Sequence, residues 1–331
     1  MYPATGTARD RFVLERREPR AAPDAWRHHG LLIEDERTAE GCVRRMATVF
    51  LTGRECSWRC VMCDLWRDTA PGDTPEGAIP AQVAAAREML DRERPPVSQI
   101  KLYNAGSFFD PHAVPERDYD AIAAQLAGFD RVIVESHPAL VGARVDLLLD
   151  ALDRHRAPGT GSARLEVAMG LETAHPRALE QLHKRMTVHA FAQAAEALDR
   201  RGVALRAFVL ISPPFIPRAE QDRWLLRSVE LAFSSRASVV SLIPTRPGNG
   251  ALESLRDAGQ FHPPRLDDIE RSAESVLRHA PGKGRIFVDL WDLERFADCP
   301  RCLRERHARL HAMNLEQRIT PRTRCLACGY V

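Results

Sequence analysis

The sequence predicts an α/β chain of repeated strand–helix units, followed by a small metal-binding module. Three observations predict it. Six short, apolar, β-branched runs alternate with six helical patterns. Three cysteines, Cys56, Cys60 and Cys63, crowd onto the loop after the first of those runs. Four more, Cys299, Cys302, Cys325 and Cys328, form two C-x-x-C pairs towards the end. The 331 residues suffice for one large domain with appendages, and a hydrophobic share of 44% allows a sizeable core. No run of eighteen apolar residues occurs, and the opening MYPATGTARDRF lacks an apolar h-region. Neither a membrane span nor a secretory signal is therefore expected. The cysteines fall in motif spacings, so metal ligation in a reducing cytoplasm is expected rather than disulfides. A net charge of only +2 gives no global pull towards nucleic acid. Lys101, Lys184 and Lys283 are the only lysines, so single arginines reflect a coding bias and are weak evidence of phosphate binding.

Residues 1–45 are polar and without a clear period, with Pro19 and Pro23. They read as an irregular N-terminal arm with a short strand near 30–34 and with Cys42 filling a small apolar space. Strands are predicted over 47–52, 98–104, 131–135, 165–171, 203–211 and 239–243. Helices are predicted over 79–94, 118–127, 145–155, 176–182, 188–201 and 219–236. Such alternation gives a parallel sheet with helices outside and right-handed connections. A further helix, 267–279, with Asp267 and Asp268 in its first turn, and a strand-like run, 286–292, follow. The expected units are the arm, a barrel over 46–260, an extension over 261–296 and a four-cysteine module over 297–331.

The loop 47–66, ATVFLTGRECSWRCVMCDLW, carries the strongest chemistry. Three thiolates in C-x-x-x-C-x-x-C spacing can hold three irons of a [4Fe–4S] cluster and leave the fourth open. Structural zinc favours paired C-x-x-C spacing, which this loop lacks. A trio of inert buried cysteines is the alternative.

At these residues the chain resembles the radical SAM superfamily, whose C-x-x-x-C-x-Φ-C loop follows the first strand of a partial barrel. Met62 stands at Φ, where an aromatic residue is usual. The resemblance implies a partial (β/α)6 barrel of the radical SAM type with a small C-terminal zinc-ribbon-like module. It implies a [4Fe–4S] cluster whose open iron chelates S-adenosylmethionine (SAM). An electron then cleaves SAM to methionine and a 5′-deoxyadenosyl radical. Active sites of parallel barrels lie at the C-terminal ends of the strands. Gly106 and Ser107, in YNAGSFFD, stand where the family has a GGE-like element for the methionine amino group; a simple turn is the alternative. Glu135 ends the third strand and would meet the cofactor's ammonium or a substrate, unless Ser136 merely caps a turn. Glu172, in GLET, would reach the ribose hydroxyls. Lys184 or Arg185, in HKRMT, would pair with the cofactor carboxylate. Ile211 or Ser212 would contact the adenine through the backbone. Arg246 would face a substrate anion or lie at the surface. Asp289 and Asp292 would line the site or be solvated.

The tail pairs suit a tetrahedral S4 zinc site, with a second iron–sulfur cluster as the rival. Metal would supply that segment's stability. From Cys299 onward seven arginines face two acidic residues, a side-chain charge of +5 (7 − 2). Such a ribbon suits RNA, or else forms a structural lid.

The YNAGSFFD and GLET strings resemble the elongator-like branch, most specifically its archaeosine-synthase radical SAM subunit. That subfamily acts on a lysine adduct of a deazaguanine base in tRNA, cleaving a C–N bond. The resemblance therefore implies modification of a tRNA base or related nucleoside, a flavodoxin- or ferredoxin-type reductant and a partner enzyme supplying the substrate. Two alternatives stand beside it: a radical SAM enzyme of a small-molecule or peptide pathway, and a non-catalytic cluster- and zinc-bearing RNA-binding protein.

Overall fold

Alternation within the strands decides the architecture. In the run 165–171, Leu165, Val167, Met169 and Leu171 share one face, and Glu166, Ala168 and Gly170 the other. The apolar set packs against helices in the main core, and the other set points into the barrel. The computed structural model describes residues 1–20, 23–156, 163–280, 282–322 and 324–330.

Eight strands form one sheet in chain order: β1 (Gly30–Arg37), β2 (Val43–Leu51), β3 (Gln99–Asn104), β4 (Arg131–Glu135), β5 (Arg164–Glu172), β6 (Ala204–Ile211), β7 (Val239–Pro244) and β8 (Arg285–Val288). The pairings from β2 to β8 are parallel, and β1 pairs antiparallel with β2. Among the described residues the α-helices are α1 (Gly6–Leu14), α2 (Ala78–Leu90), α3 (Tyr119–Leu126), α4 (Ala143–Arg154), α5 (Pro176–Gln181), α6 (Val188–Asp199), α7 (Gln221–Ser234), α8 (Ala251–Asp257), α9 (Leu266–His279) and α10 (Pro300–Glu316). The six predicted strand–helix units are present as the partial barrel β2–β7, which β1 and β8 extend at its two edges.

The segment expected to be an irregular arm is more ordered than its composition suggests. It contains helix α1 and a strand running to Arg37. Asp10 of α1 pairs with His183 at 2.9 Å and with Arg185 at 2.5 Å, and Arg9 pairs with Glu180 at 2.5 Å. The arm therefore buttresses the loop that follows α5. Cys42 is exposed rather than filling an apolar space.

The tail brings its four cysteines together, but the chain between the pairs is helix α10, with Pro300 in its first turn. This helix packs against both sheet edges, β1 and β8. Its amides substitute for a ninth strand. Gln317 accepts from the backbone N–H of Ile286 at 2.7 Å and donates to its carbonyl at 2.8 Å. Asn314 does the same for Val288 at 2.8 and 2.9 Å. The exposed polar edge of β8 is thereby satisfied. Buried Arg306 and Arg309 tie α10 to Glu270 and Glu274 of α9, the closest contacts being 2.6 and 2.7 Å.

Candidate active site

One cavity of about 800 Å³ opens inside the barrel and is lined at the strand ends by Cys56, Cys60 and Cys63. The loop carrying them is pinned from three sides. Buried Gln82 of α2 clasps the backbone N–H and carbonyl of Thr52, at 2.8 and 2.7 Å. The Val61 N–H donates to the Leu182 carbonyl at 3.0 Å. Asn249, buried after β7, donates to the carbonyls of Val61 and Cys63 at 2.7 and 3.3 Å. Gln82 and Asn249 escaped the sequence reading because each acts on backbone distant in the chain.

Trp58, between Cys56 and Cys60, stacks on His137 with ring centroids 3.7 Å apart and planes 12° from parallel. The His137 Nδ1 accepts from the Ala139 N–H at 3.1 Å, and its Nε2 lies 3.0 Å from the Lys184 carbonyl. That pairing defines a neutral ring protonated at Nε2. Burial and the Lys184 ammonium lower its pKa to about 4.

Of the sequence-predicted cofactor contacts, Met62, Gly106, Glu135, Glu172 and Lys184 all line the cavity. Glu172 and Lys184 do so as a pair, 2.5 Å apart, rather than as two free groups. The Lys184 Nζ also donates to the Gly170 carbonyl at 2.7 Å. Burial works against this ammonium, but Glu172 and Cys60 outweigh it and hold its pKa above the usual lysine value. The geometry is built into the backbone. Register shifts at Gly170/Glu172, and Glu172, His183 and Arg185 have φ of 64°, 59° and 55°. A side chain at Gly170 would come within 2.0 Å of Glu172 Oε1 and 2.1 Å of Lys184 Nζ. Arg185, the alternative to Lys184, is half exposed and engaged by Asp10. Burial pushes Glu135 up to about 8, against the pull of Lys184.

Two predicted contacts fall elsewhere. Ser107 lies behind the wall, its Oγ 3.0 Å from that of Ser136. Ile211 faces the helix layer, and its carbonyl accepts from the Thr245 N–H at 3.1 Å and Oγ1 at 2.8 Å. The inward residue is its neighbour Leu210, because side chains alternate along β6. Arg246 and Asp289 both line the cavity and pair with each other at 2.5 Å.

The trio fits a three-thiolate cluster with an open iron. Among the described residues the other cysteines are Cys42 and the tail four, so no fourth thiol joins it. Burial pushes the Cys60 thiol well above its usual value and Cys63 up to about 12, while Lys184 opposes this at Cys56 and Cys60. A buried cation beside the thiols offsets the charge that ligating thiolates carry. At the end of β3, buried Asn104 also has both side-chain amide atoms without a partner among the described residues, but it does not line the cavity.

The tail quartet is of another kind. Its four sulfurs all lie within 4.8 Å of one another, and those of Cys302 and Cys328 are 3.8 Å apart. Tetrahedral Zn–S bonds of about 2.3 Å require sulfurs about 3.8 Å apart. Backbone N–H groups of Cys328 and Ala327 lower Cys325 to about 7, and burial pushes Cys302 up to about 12. Four of the seven tail arginines form ion pairs within the chain. Arg306, Arg309 and Arg322 pair with α9 carboxylates and Arg318 with Glu316.

A parallel sheet with three cysteines on the loop after its first parallel strand is the arrangement that the radical SAM resemblance implies. The chain is similar in sequence to archaeosine synthase subunit beta of Methanosarcina acetivorans, 28% identical over 239 residues, which are 69% of this chain and 66% of that protein. It thus spans just under two thirds of that relative. Methylornithine synthase (PylB) shares the fold, with a TM-score of 0.56, 15% identity and coverage of 83% of this chain and 70% of that one. So does the archaeal Elp3 of Methanocaldococcus infernus with an N-terminal deletion, with a TM-score of 0.51, 14% identity and coverage of 75% of this chain and 60% of that one. No protein-family model matches the chain.

Proposed function

We propose that the chain binds a [4Fe–4S] cluster on Cys56, Cys60 and Cys63 and SAM beside it, and modifies a tRNA base or deazaguanine-type nucleoside by C–N bond cleavage. The observation that carries this reading is the convergence of three thiols, the Glu172–Lys184 pair and Glu135 around one cavity. When bound, the cluster supplies the electron that cleaves SAM and so generates a 5′-deoxyadenosyl radical. The protein's part is placement. Gln82 and Asn249 fix the cysteine loop, and the Trp58–His137 stack ties it to the end of β4. Lys184 balances thiolate charge while Glu172 orients Lys184 and leaves its second carboxylate oxygen for the cofactor ribose. Glu135, protonated at neutral pH, offers a hydrogen-bond donor at the cavity wall. Ser107 supports Ser136 from behind.

The substrate class rests on the relationship to archaeosine synthase subunit beta. A partner supplying the lysine-adduct substrate, and a flavodoxin- or ferredoxin-type electron donor, belong to the same proposal. The tail quartet holds zinc in this reading, since the sulfur separation suits one tetrahedral ion. A second reading, action on a small molecule or peptide, is favoured by the neutralised arginines of the tail, which leave the four-cysteine module less charge for RNA. Bulk tRNA separates the two: a rise in 5′-deoxyadenosine formation on its addition supports the first, and indifference supports the second.

A further inference from the structure

Helix α10 runs antiparallel to β8, because Gln317 pairs with Ile286 and Asn314 with Val288 two residues further along the strand. Moving towards the start of α10 therefore climbs towards the strand ends, where the cysteine loop lies. His311 and His307 follow Asn314 at three and seven residues, on one helix face. They stand about 5 and about 10 Å further along the axis. All three residues line the cavity.

The lysines and arginines that line the cavity are engaged within the chain. Lys101 and Arg206 pair with Glu36, Lys184 with Glu172, Arg246 with Asp289 and Arg45 with Glu93. His307 and His311 have no hydrogen-bond or ion-pair partner among the described residues. They stand on the α10 wall between β8 and β1, whereas the cofactor-facing groups Gly106, Glu135 and Glu172 follow β3, β4 and β5. Their helix is held along its length, by Arg306 and Arg309 on α9 and by Asn314 and Gln317 on β8. Groups on so rigid an element can fix a ligand's orientation.

We infer that His307 and His311 are substrate-contact residues, the α10 wall of the cavity reading the hydrogen-bonding edge of the nucleobase. A neutral imidazole offers one donor and one acceptor, and two of them one turn apart suit a heterocycle edge better than an apolar chain. This inference rests on the nucleoside reading above and adds the recognising residues to it.

The test uses the reconstituted full chain, with bulk tRNA as the probe. For wild type, His307→Ala/His311→Ala and His307→Asn/His311→Asn, one measures the tRNA concentration that half-saturates 5′-deoxyadenosine formation, and separately SAM affinity. Cluster absorbance and circular dichroism confirm the fold, and the Asn variant serves alone if the Ala variant misfolds. The expected result is a half-saturating tRNA concentration raised at least fivefold by Ala and less by Asn, with SAM affinity within twofold. An unchanged tRNA requirement overturns the inference. So does a parallel loss of SAM affinity, which would put the histidines on the cofactor side. A wild type that ignores tRNA overturns the nucleoside reading itself, and the inference with it.

Discussion

Lys184 shows how much one residue can carry. Its ammonium meets Glu172 and the Gly170 carbonyl in a buried pocket beside two thiols. Removing one partner of a buried pair strands the other charge, at about 3–5 kcal/mol. Lys184→Met should therefore destabilise the fold by that order in urea titration, and Lys184→Met with Glu172→Gln by clearly less. Gly170→Ala should cost at least about 2 kcal/mol by the same measurement, since its methyl would overlap both charged groups. His137 makes a pH prediction. Its pKa is about 4 when folded against 6.5 ordinarily, so the unfolded chain binds more protons between those values. Stability is then lost as pH falls from about 6.5 to 4, by on the order of 2–3 kcal/mol. His137→Asn should flatten that part of the stability profile; an unchanged slope would contradict it. The cysteines, Glu172 and Lys184 were legible as sequence because chemistry demands their residue types. That Glu172 and Lys184 face each other was not, because the bulge and three left-handed residues around them leave no compositional trace. The Ile211 side chain faces the helix layer while its neighbour Leu210 faces the cavity, since one residue along a strand reverses the face.

At the scale of elements, α10 departs most from sequence expectation. Two C-x-x-C pairs suggested a short ribbon, yet the intervening chain forms a seventeen-residue helix. Pro300 in the first turn and buried Cys302, Arg306, Arg309, Leu310 and Met313 carry the helical spacing. The buried arginines disguised it, since only the facing carboxylates of α9 make them core residues. Asn314→Ala and Gln317→Ala should each cost about 1–3 kcal/mol, because each leaves a β8 N–H and carbonyl unpaired. Stripping the metal proposed for the tail quartet with a chelator should lower the melting temperature by at least about 5 °C without altering the absorbance of the cluster proposed for Cys56, Cys60 and Cys63. A tail metal whose loss leaves melting unchanged would show that α10 is secured by α9 and β8 alone. The N-terminal arm makes the complementary case. Its helix was missed because α1 gains its order from Asp10 and Arg9 reaching residues near 180, which no local pattern records.

Across the whole molecule, apolar side chains fill the layer between sheet and helices, while the barrel interior sets a buried ion-pair network beside a small apolar cluster of Met46, Ile133 and Ala168. Arg206, 2% exposed, bridges Glu36 at 2.5 Å and Glu166 at 2.7 Å, and Lys101 and Arg131 complete the set. Burial alone would raise the Glu36 pKa, but Arg206 and Lys101 hold it far below the usual range. This floor keeps the barrel open to polar ligands without leaving charge unpaired. The strand–helix order that places it was readable from hydrophobic periodicity; the ion pairs across it join residues up to 170 positions apart and were not. The central claim is that this architecture serves radical chemistry at the cysteine loop. Its most direct test is anaerobic: reconstitute the chain with iron and sulfide, add dithionite and SAM, and assay 5′-deoxyadenosine by mass spectrometry. The account predicts 5′-deoxyadenosine from wild type and none above background from Cys60→Ala. Absence of product from a wild type whose cluster is fully formed, or equal product from Cys60→Ala, would contradict it.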